Sequence, residues 1–181
     1  MRIIILVLAI LALAACDRQN GASSQANDSA AEPASPTGGL DRSQAGKPAP
    51  AVQFKDPEGD LATLADFRGK PLLLNLWATW CAPCVKELPT LDALSNREGA
   101  PQVLALSQDM ADQAKVAEFL GGRKIGLEPF QDAEMAISSA LGMSILPTTV
   151  LYDANGREVW RYSGDMDWTG AEAAKLLAEG R

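Results

Sequence analysis

Along residues 72–78, Leu-Leu-Leu-Asn-Leu-Trp-Ala, apolar side chains follow one another with Asn75 as the only polar interruption. A strand covered on both faces reads this way, because neither set of alternating side chains meets water. Gln102–Ser107 predicts a second buried strand. Between the two, Val85, Leu88, Leu91 and Leu94 recur at helical spacing and lay one apolar stripe on a helix from Pro83 to about Ser95. Pro83 suits the first helical position, where its missing N–H is not needed, and Pro89 predicts a kink. A further helix is predicted from Ala111 to Leu120, closed by Gly121 and Gly122.

Upstream, Ala51–Lys55 alternates, Asp56-Pro57-Glu58-Gly59-Asp60 punctuates, and Leu61–Leu64 resumes, which predicts a β-hairpin. Downstream, a helix is predicted from Asp132 to Leu141. Thr148–Tyr152 and Glu158–Tyr162 then flank Asp153-Ala154-Asn155-Gly156, whose Asn-Gly favours a tight hairpin turn. A last amphipathic helix is predicted from Trp168 to Glu179. An alternating half followed by a hairpin half implies an α/β fold: a central mixed β-sheet flanked by helices, with an N-terminal β-hairpin extension.

The chain starts differently. Met1-Arg2, an apolar run from Ile3 to Leu13, and the small residues Ala14 and Ala15 have the layout of an export leader over residues 1–15. The run is shorter than the roughly 20 residues a spanning helix needs. Leu13-Ala14-Ala15-Cys16 resembles the bacterial lipoprotein cleavage box, which implies lipidation of Cys16 and leaves the chain held on a membrane by its acyl groups. An ordinary secretory leader is the alternative. Residues 16–47 then form a lipid-anchored tether: from Asp17 to Lys47 they are mostly Ala, Ser, Gln, Asn, Gly and Pro, with Leu40 the one large apolar residue. Such a composition predicts no fold of its own and a reach of roughly 30 Å. Residues 48–181 make one domain of ordinary size.

Charge and cysteine count narrow the chemistry. With 16 Lys and Arg against 23 Asp and Glu, the net charge is −7, which argues against nucleic acid as a partner. The chain holds three cysteines and no histidine. Cys-His dyads, Ser-His-Asp triads and His-ligated metals are thereby excluded. With Cys16 assigned to the anchor, Cys81 and Cys84 remain, too few for a disulfide framework or a four-ligand zinc site. No metal and no cofactor are expected beyond the Cys81–Cys84 couple itself.

In Trp80-Cys81-Ala82-Pro83-Cys84 the first thiol stands where a buried strand gives way to a helix, beside the unpaired N–H groups of the helix start. A thiolate is stabilised there, and only the thiolate attacks a disulfide. Cys81 is the expected nucleophile. Cys84, three positions on, is the expected resolving thiol that cleaves the mixed disulfide from within. Glu87 lies a further three positions along the same helix face, within reach of the pair through water.

The run Leu76-Trp77-Ala78-Thr79-Trp80-Cys81-Ala82-Pro83-Cys84-Val85-Lys86-Glu87-Leu88-Pro89 resembles the TlpA/ResA-like thioredoxin family, as do Phe67-Arg68-Gly69-Lys70-Pro71 and Leu146-Pro147-Thr148-Thr149. The likeness spans about the whole of residues 48–181. It implies a thioredoxin-like fold and a thiol:disulfide oxidoreductase, with a cis-proline at Pro147 facing the cysteines and Leu146 offering its backbone to the substrate chain. Trp80, Leu146 and Thr148 are the implied substrate contacts. The family's pattern before the proline is often smaller, so Ile145 and Leu146 alter the shape presented. Glu87 matches a glutamate that tunes the cysteines and serves in proton transfer. Asn75 stands where cytoplasmic thioredoxins carry a buried aspartate. Trp77 reads as a core anchor.

The resemblance further implies a reductase on the periplasmic side of the bacterial inner membrane, with Asp17 resembling a retention signal. Exported protein disulfides, apocytochrome c among them, would be its clients, and a membrane reductase of the DsbD/CcdA type its electron donor. A periplasmic oxidant or isomerase would use the same two cysteines. A thiol peroxidase is disfavoured because no Thr-x-x-Cys is present. A copper-binding module would add a methionine such as Met143.

Overall fold

The computed structural model of the protein describes residues 39–180. The leader, Cys16 and the first part of the tether lie outside the described residues. Five strands form one mixed sheet. In chain order they are β1 (Gly39–Asp41), β4 (Leu72–Trp77), β5 (Gln102–Ser107), β6 (Thr148–Tyr152) and β7 (Glu158–Ser163), laid out as β1-β7-β6-β4-β5. β4 and β5 run parallel, in register from Leu72 opposite Gln102 to Trp77 opposite Ser107. The other pairs are antiparallel. The hairpin β2 (Gln53–Lys55) and β3 (Leu61–Thr63) stands beside the β5 edge, joined to it through Gln131, which bridges both Lys55 and Ser107. The mixed sheet and N-terminal hairpin are the architecture that the hydrophobic pattern predicts.

β4 is fully buried because both sheet faces are covered. Leu73 and Trp77 pack with Leu88, Leu91 and Leu94 of α1 (Ala82–Ser95), Val116 and Leu120 of α2 (Gln113–Gly122), and Ala173, Leu176 and Leu177 of α4 (Ala171–Leu177). Leu72, Leu74 and Leu76 face the other way, against Phe54, Leu64, Val150, Tyr152 and Ile137 of α3 (Ala136–Ala140). By the alternation of a strand, Asn75 shares the α1 side with Leu73 and Trp77.

Several boundaries differ from the sequence expectation. The tether does not run to Lys47: Gly39–Asp41 adds β1 to the β7 edge, and beyond it Gly46 N donates to Glu158 O (2.7 Å) while Glu158 N donates to Lys47 O (2.8 Å). A polar segment without a core of its own orders here because an existing sheet edge supplies its hydrogen-bond partners. α3 begins at Ala136 instead of Asp132, because the Asp132 carboxylate accepts from Ala136 N and Ile137 N and Met135 takes a left-handed turn at φ 53°. α2 starts two residues later than expected, capped by Asp112, and runs through Gly121 and Gly122. α1 begins at Ala82, so Pro83 is its second residue, and it continues through Pro89. Residues 168–170 precede α4, and a 3-10 turn over Ala178–Gly180 follows it.

Candidate active site

The parallel arrangement of β4 and β5 brings their C-terminal ends to one rim, where the start of β6 and the end of β7 also arrive. From β4 the chain turns through Thr79 and Trp80 to Cys81, which caps α1. Its sulfur accepts from Cys84 N at 3.3 Å, and its carbonyl accepts from Val85 N at 3.0 Å. Cys81 and Cys84 are joined by a disulfide, with Cα atoms 5.3 Å apart. Cys81 keeps 6% of its surface and Cys84 none. A reacting partner therefore reaches Cys81 first, and Cys84 is placed to act from behind it.

Register brings Leu146 and Pro147 to the same rim: Thr148 pairs with Leu76, so Pro147 stands level with the end of β4. The Leu146–Pro147 peptide is cis. Leu146 is half-buried, and Trp80 is 70% exposed next to Cys81. Thr148 does not fit the role of substrate contact. It is fully buried, and its hydroxyl donates to Ile145 O at 2.7 Å, so its side chain braces the turn before β6 and presents nothing to a substrate. Met143 is not brought to the cysteines. It packs on the opposite sheet face, with its sulfur 4.0 Å from Arg161 Nη1.

Glu87 is no solvated helix residue; only 2% of it is exposed. Three N–H donors hold its carboxyl: Asn75 Nδ2 on Oε1 at 2.7 Å, and Met166 N and Trp168 Nε1 on Oε2, each at 3.1 Å. Burial pushes its pKa up to about 7 from an ordinary 4.5, against the pull of those hydrogen bonds, Asn75 foremost. The loop that supplies two of the donors is fixed from α1 as well, since Thr90 Oγ1 accepts from Trp168 N at 3.2 Å. Trp168 also stacks on Trp160, with ring centroids 6.5 Å apart. Glu87 thus joins α1, β4 and the segment between β7 and α4.

A second buried carboxylate, Asp109, is 5% exposed and was not evident from local sequence. It accepts from Thr79 N (2.9 Å) and Ser107 Oγ (2.7 Å) through Oδ2, and from Thr79 Oγ1 (2.6 Å) through Oδ1. It ties the loop that carries Trp80 and Cys81 to the end of β5. Gln131 braces Asp109 in turn by donating to its backbone carbonyl at 2.8 Å. The one available signal was an acidic side chain just past a buried strand, at the end of a parallel sheet where α/β proteins carry their chemistry.

The sequence pattern of the Redoxin family matches residues 44–177. The chain belongs to the Redoxin family. Within it the chain falls in the TlpA/ResA-like, thioredoxin-like group. The thiol-disulfide oxidoreductase ResA of Bacillus thuringiensis (strain Al Hakam) is 34% identical over 127 residues, covering 69% of this chain and 73% of the relative. The thiol:disulfide interchange protein DsbE of Pseudomonas fluorescens biotype C is 35% identical over 138 residues, covering 74% and 76%. The crystal structure of the exposed lipoprotein thioredoxin Etrx1 of Streptococcus pneumoniae shares the fold, with a TM-score of 0.61 at 23% identity over 71% of this chain and 98% of that one. This Redoxin is a thiol:disulfide oxidoreductase with a thioredoxin-like fold. No helix among its described residues is long and apolar enough to cross a membrane.

Proposed function

We propose that the protein works as an exported reductase of protein disulfides, held to the periplasmic face of a bacterial inner membrane by a lipidated Cys16. The observation that carries the direction of the reaction is the buried carboxyl of Glu87, one helical turn beyond Cys84. A negative charge in a low-dielectric site disfavours a thiolate nearby and works against the stabilisation offered by the start of α1. A couple whose thiolate is poorly stabilised gives its electrons away readily.

In the reduced protein the Cys81 thiolate attacks one sulfur of a client disulfide and expels the other as a thiolate. Cys84 then loses its proton to the Glu87 carboxylate, whose proton affinity burial has brought near neutrality. The Cys84 thiolate attacks Cys81 Sγ and breaks the mixed disulfide, the client's two thiolates take up protons from water and from the Glu87 carboxyl, and two electrons have passed to the client. The protein is left as the disulfide. A membrane dithiol donor of the DsbD/CcdA type restores it. Trp80 and the backbone of Leu146 hold the client segment. Apocytochrome c is the client proposed, because haem attachment needs free thiols in an oxidising compartment; similarity to a protein named DsbE supports interchange with protein clients.

Reduction of insulin in the presence of dithiothreitol tests the reaction, and a reduction potential nearer about −270 mV than −120 mV tests its direction. A potential at the upper end would make the protein an oxidant or isomerase instead. In Glu87→Gln, alkylation of Cys81 should extend to lower pH and client turnover should slow; unchanged values for both would remove Glu87 from the mechanism. Palmitate labelling lost in Cys16→Ser tests the anchor. A Cys84→Ser trap that captures proteins other than apocytochrome c in cells would replace the proposed client.

A further inference from the structure

Asn75 Nδ2 donates twice, to Glu87 Oε1 at 2.7 Å and to Thr149 Oγ1 at 2.9 Å. The same orientation leaves Asn75 Oδ1 fully buried with no hydrogen-bond partner among the described residues. A buried acceptor left unpaired is unfavourable, and an amide turned by 180° about its last bond has nearly the same shape. The orientation observed is therefore the one an ionised carboxylate demands, since a carboxylate can only accept. When Glu87 binds a proton that demand disappears. Oε2 already receives two donors, from Met166 and Trp168, so the proton settles on Oε1, opposite the Asn75 amide.

We propose that Asn75 is a positioning residue for the Glu87 proton. Its amide donates to Oε1 while the carboxyl is ionised, and turns to accept from Oε1–H when the carboxyl is neutral, with the Thr149 hydroxyl then donating to the turned Oδ1. Each arrangement leaves one amide group orphaned, and the hydrogen bond to the charged carboxylate is the stronger of the two, so the amide turns with the proton yet on balance favours the ionised form. Among the described residues, few charged groups face this cluster. Asp165, on the loop after β7, opposes ionisation and is paired with Lys86 of α1 at 2.7 Å. β4 and β6 contribute the neutral Asn75 and Thr149. Among the donors that favour the ionised form, Asn75 has the largest influence. Asn75 thus holds the place of a proton-binding side chain without binding the proton itself: it sets how tightly Glu87 does. The proposal deepens the reading of Glu87 given above, and only its consequence at the cysteines rests on that reading.

The protein carries its own reporter, because the Trp168 indole N–H donates to Glu87. The chain has no histidine, and Cys81 and Cys84 do not ionise in the disulfide form, so a titration near neutrality read at the Trp168 indole N–H, which is bonded to the carboxyl itself, reports Glu87. The experiment is a pH titration of the purified, oxidised, 15N-labelled protein by NMR. In the wild type, the Trp168 Nε1–H and Asn75 Nδ2 resonances should move together with one midpoint. Asn75→Leu, which keeps the bulk and removes the donor, should raise the Trp168 midpoint by a unit or more, about a ten-fold tighter hold on the proton. A Trp168 midpoint unmoved in Asn75→Leu overturns the proposal. So do Asn75 resonances that stay still while Trp168 titrates, a measurement that needs no variant. In reduced Asn75→Leu, Cys81 alkylation should extend to lower pH, as in Glu87→Gln. A moved Trp168 midpoint with unmoved alkylation would sustain Asn75 as positioner and defeat the tuning role of Glu87.

Discussion

Glu87 is a buried carboxyl held by neutral N–H donors, and among the described residues none of the groups that hydrogen-bond to it carries a positive charge. Its proton affinity near neutrality makes stability depend on pH. Below about pH 4.5 folded and unfolded chains both hold the proton, and the contribution of Glu87 to stability is at its fullest. Between 4.5 and about 7 the folded state keeps a proton that the unfolded state releases, so stability falls as pH rises, and it levels off above 7. The span corresponds to an upper limit of roughly 3 kcal/mol. The carboxylates held low by hydrogen bonds, Asp41, Asp66, Asp165 and Asp167, act at more acid pH and in the opposite sense. Urea unfolding of the oxidised wild type should therefore show a lower midpoint at pH 8 than at pH 5, and Glu87→Gln should flatten most of that difference. A midpoint that rises over the same range would mean that Glu87 is ionised throughout. The identity of Glu87 as a site residue was legible, because its spacing from Cys84 on a helix is local. Its burial was not: Met166 and Trp168 arrive from about eighty residues away, and no periodicity announces a backbone amide that closes over a carboxylate.

The elements divide in the same way. β4, β5 and β6 were legible nearly to the residue, since strands buried on both faces leave continuous apolar runs with sharp polar ends. Elements whose formation depends on a neighbour were not. β1 has no apolar pattern of its own; β7 makes it a strand, and the backbone bonds at Gly46, Lys47 and Ala49 fasten the chain behind it, with an Arg42–Glu179 ion pair at 2.7 Å adding a surface contact. Composition drew the domain boundary at Pro48, whereas hydrogen bonding among the described residues carries it back to Gly39. A chain beginning at Pro48 should melt about 5–10 °C below one beginning at Ser35, because it bares the β7 edge and loses several backbone hydrogen bonds. Equal melting temperatures in calorimetry would show that β1 adds nothing to the fold. α3 fell short for a related reason: Asp132 satisfies the first amides of the helix from a distance, so the turns expected before Ala136 never form.

At the scale of the whole molecule, the direction of the redox couple and the stability of the fold are one quantity seen twice. The disulfide closes a loop of only residues 81–84, which restrains the unfolded chain very little, so any difference in stability between the oxidised and reduced proteins arises in the folded state. Two influences of opposite sign meet there. The start of α1 favours the reduced form by stabilising a thiolate, and the Glu87 carboxylate, buried among Asn75, Met166 and Trp168, disfavours it. If Glu87 prevails, the folded couple is more reducing than the same two cysteines in the unfolded chain, and a thermodynamic cycle then requires the oxidised protein to unfold less readily. Each 30 mV of that difference is about 1.4 kcal/mol, a few degrees in melting temperature for a domain of this size. Calorimetry of the two forms at pH 8 should place the oxidised protein higher, with a smaller gap in Glu87→Gln. A reduced form that melts higher would put the helix start in control, and the protein would draw electrons from its clients instead of supplying them.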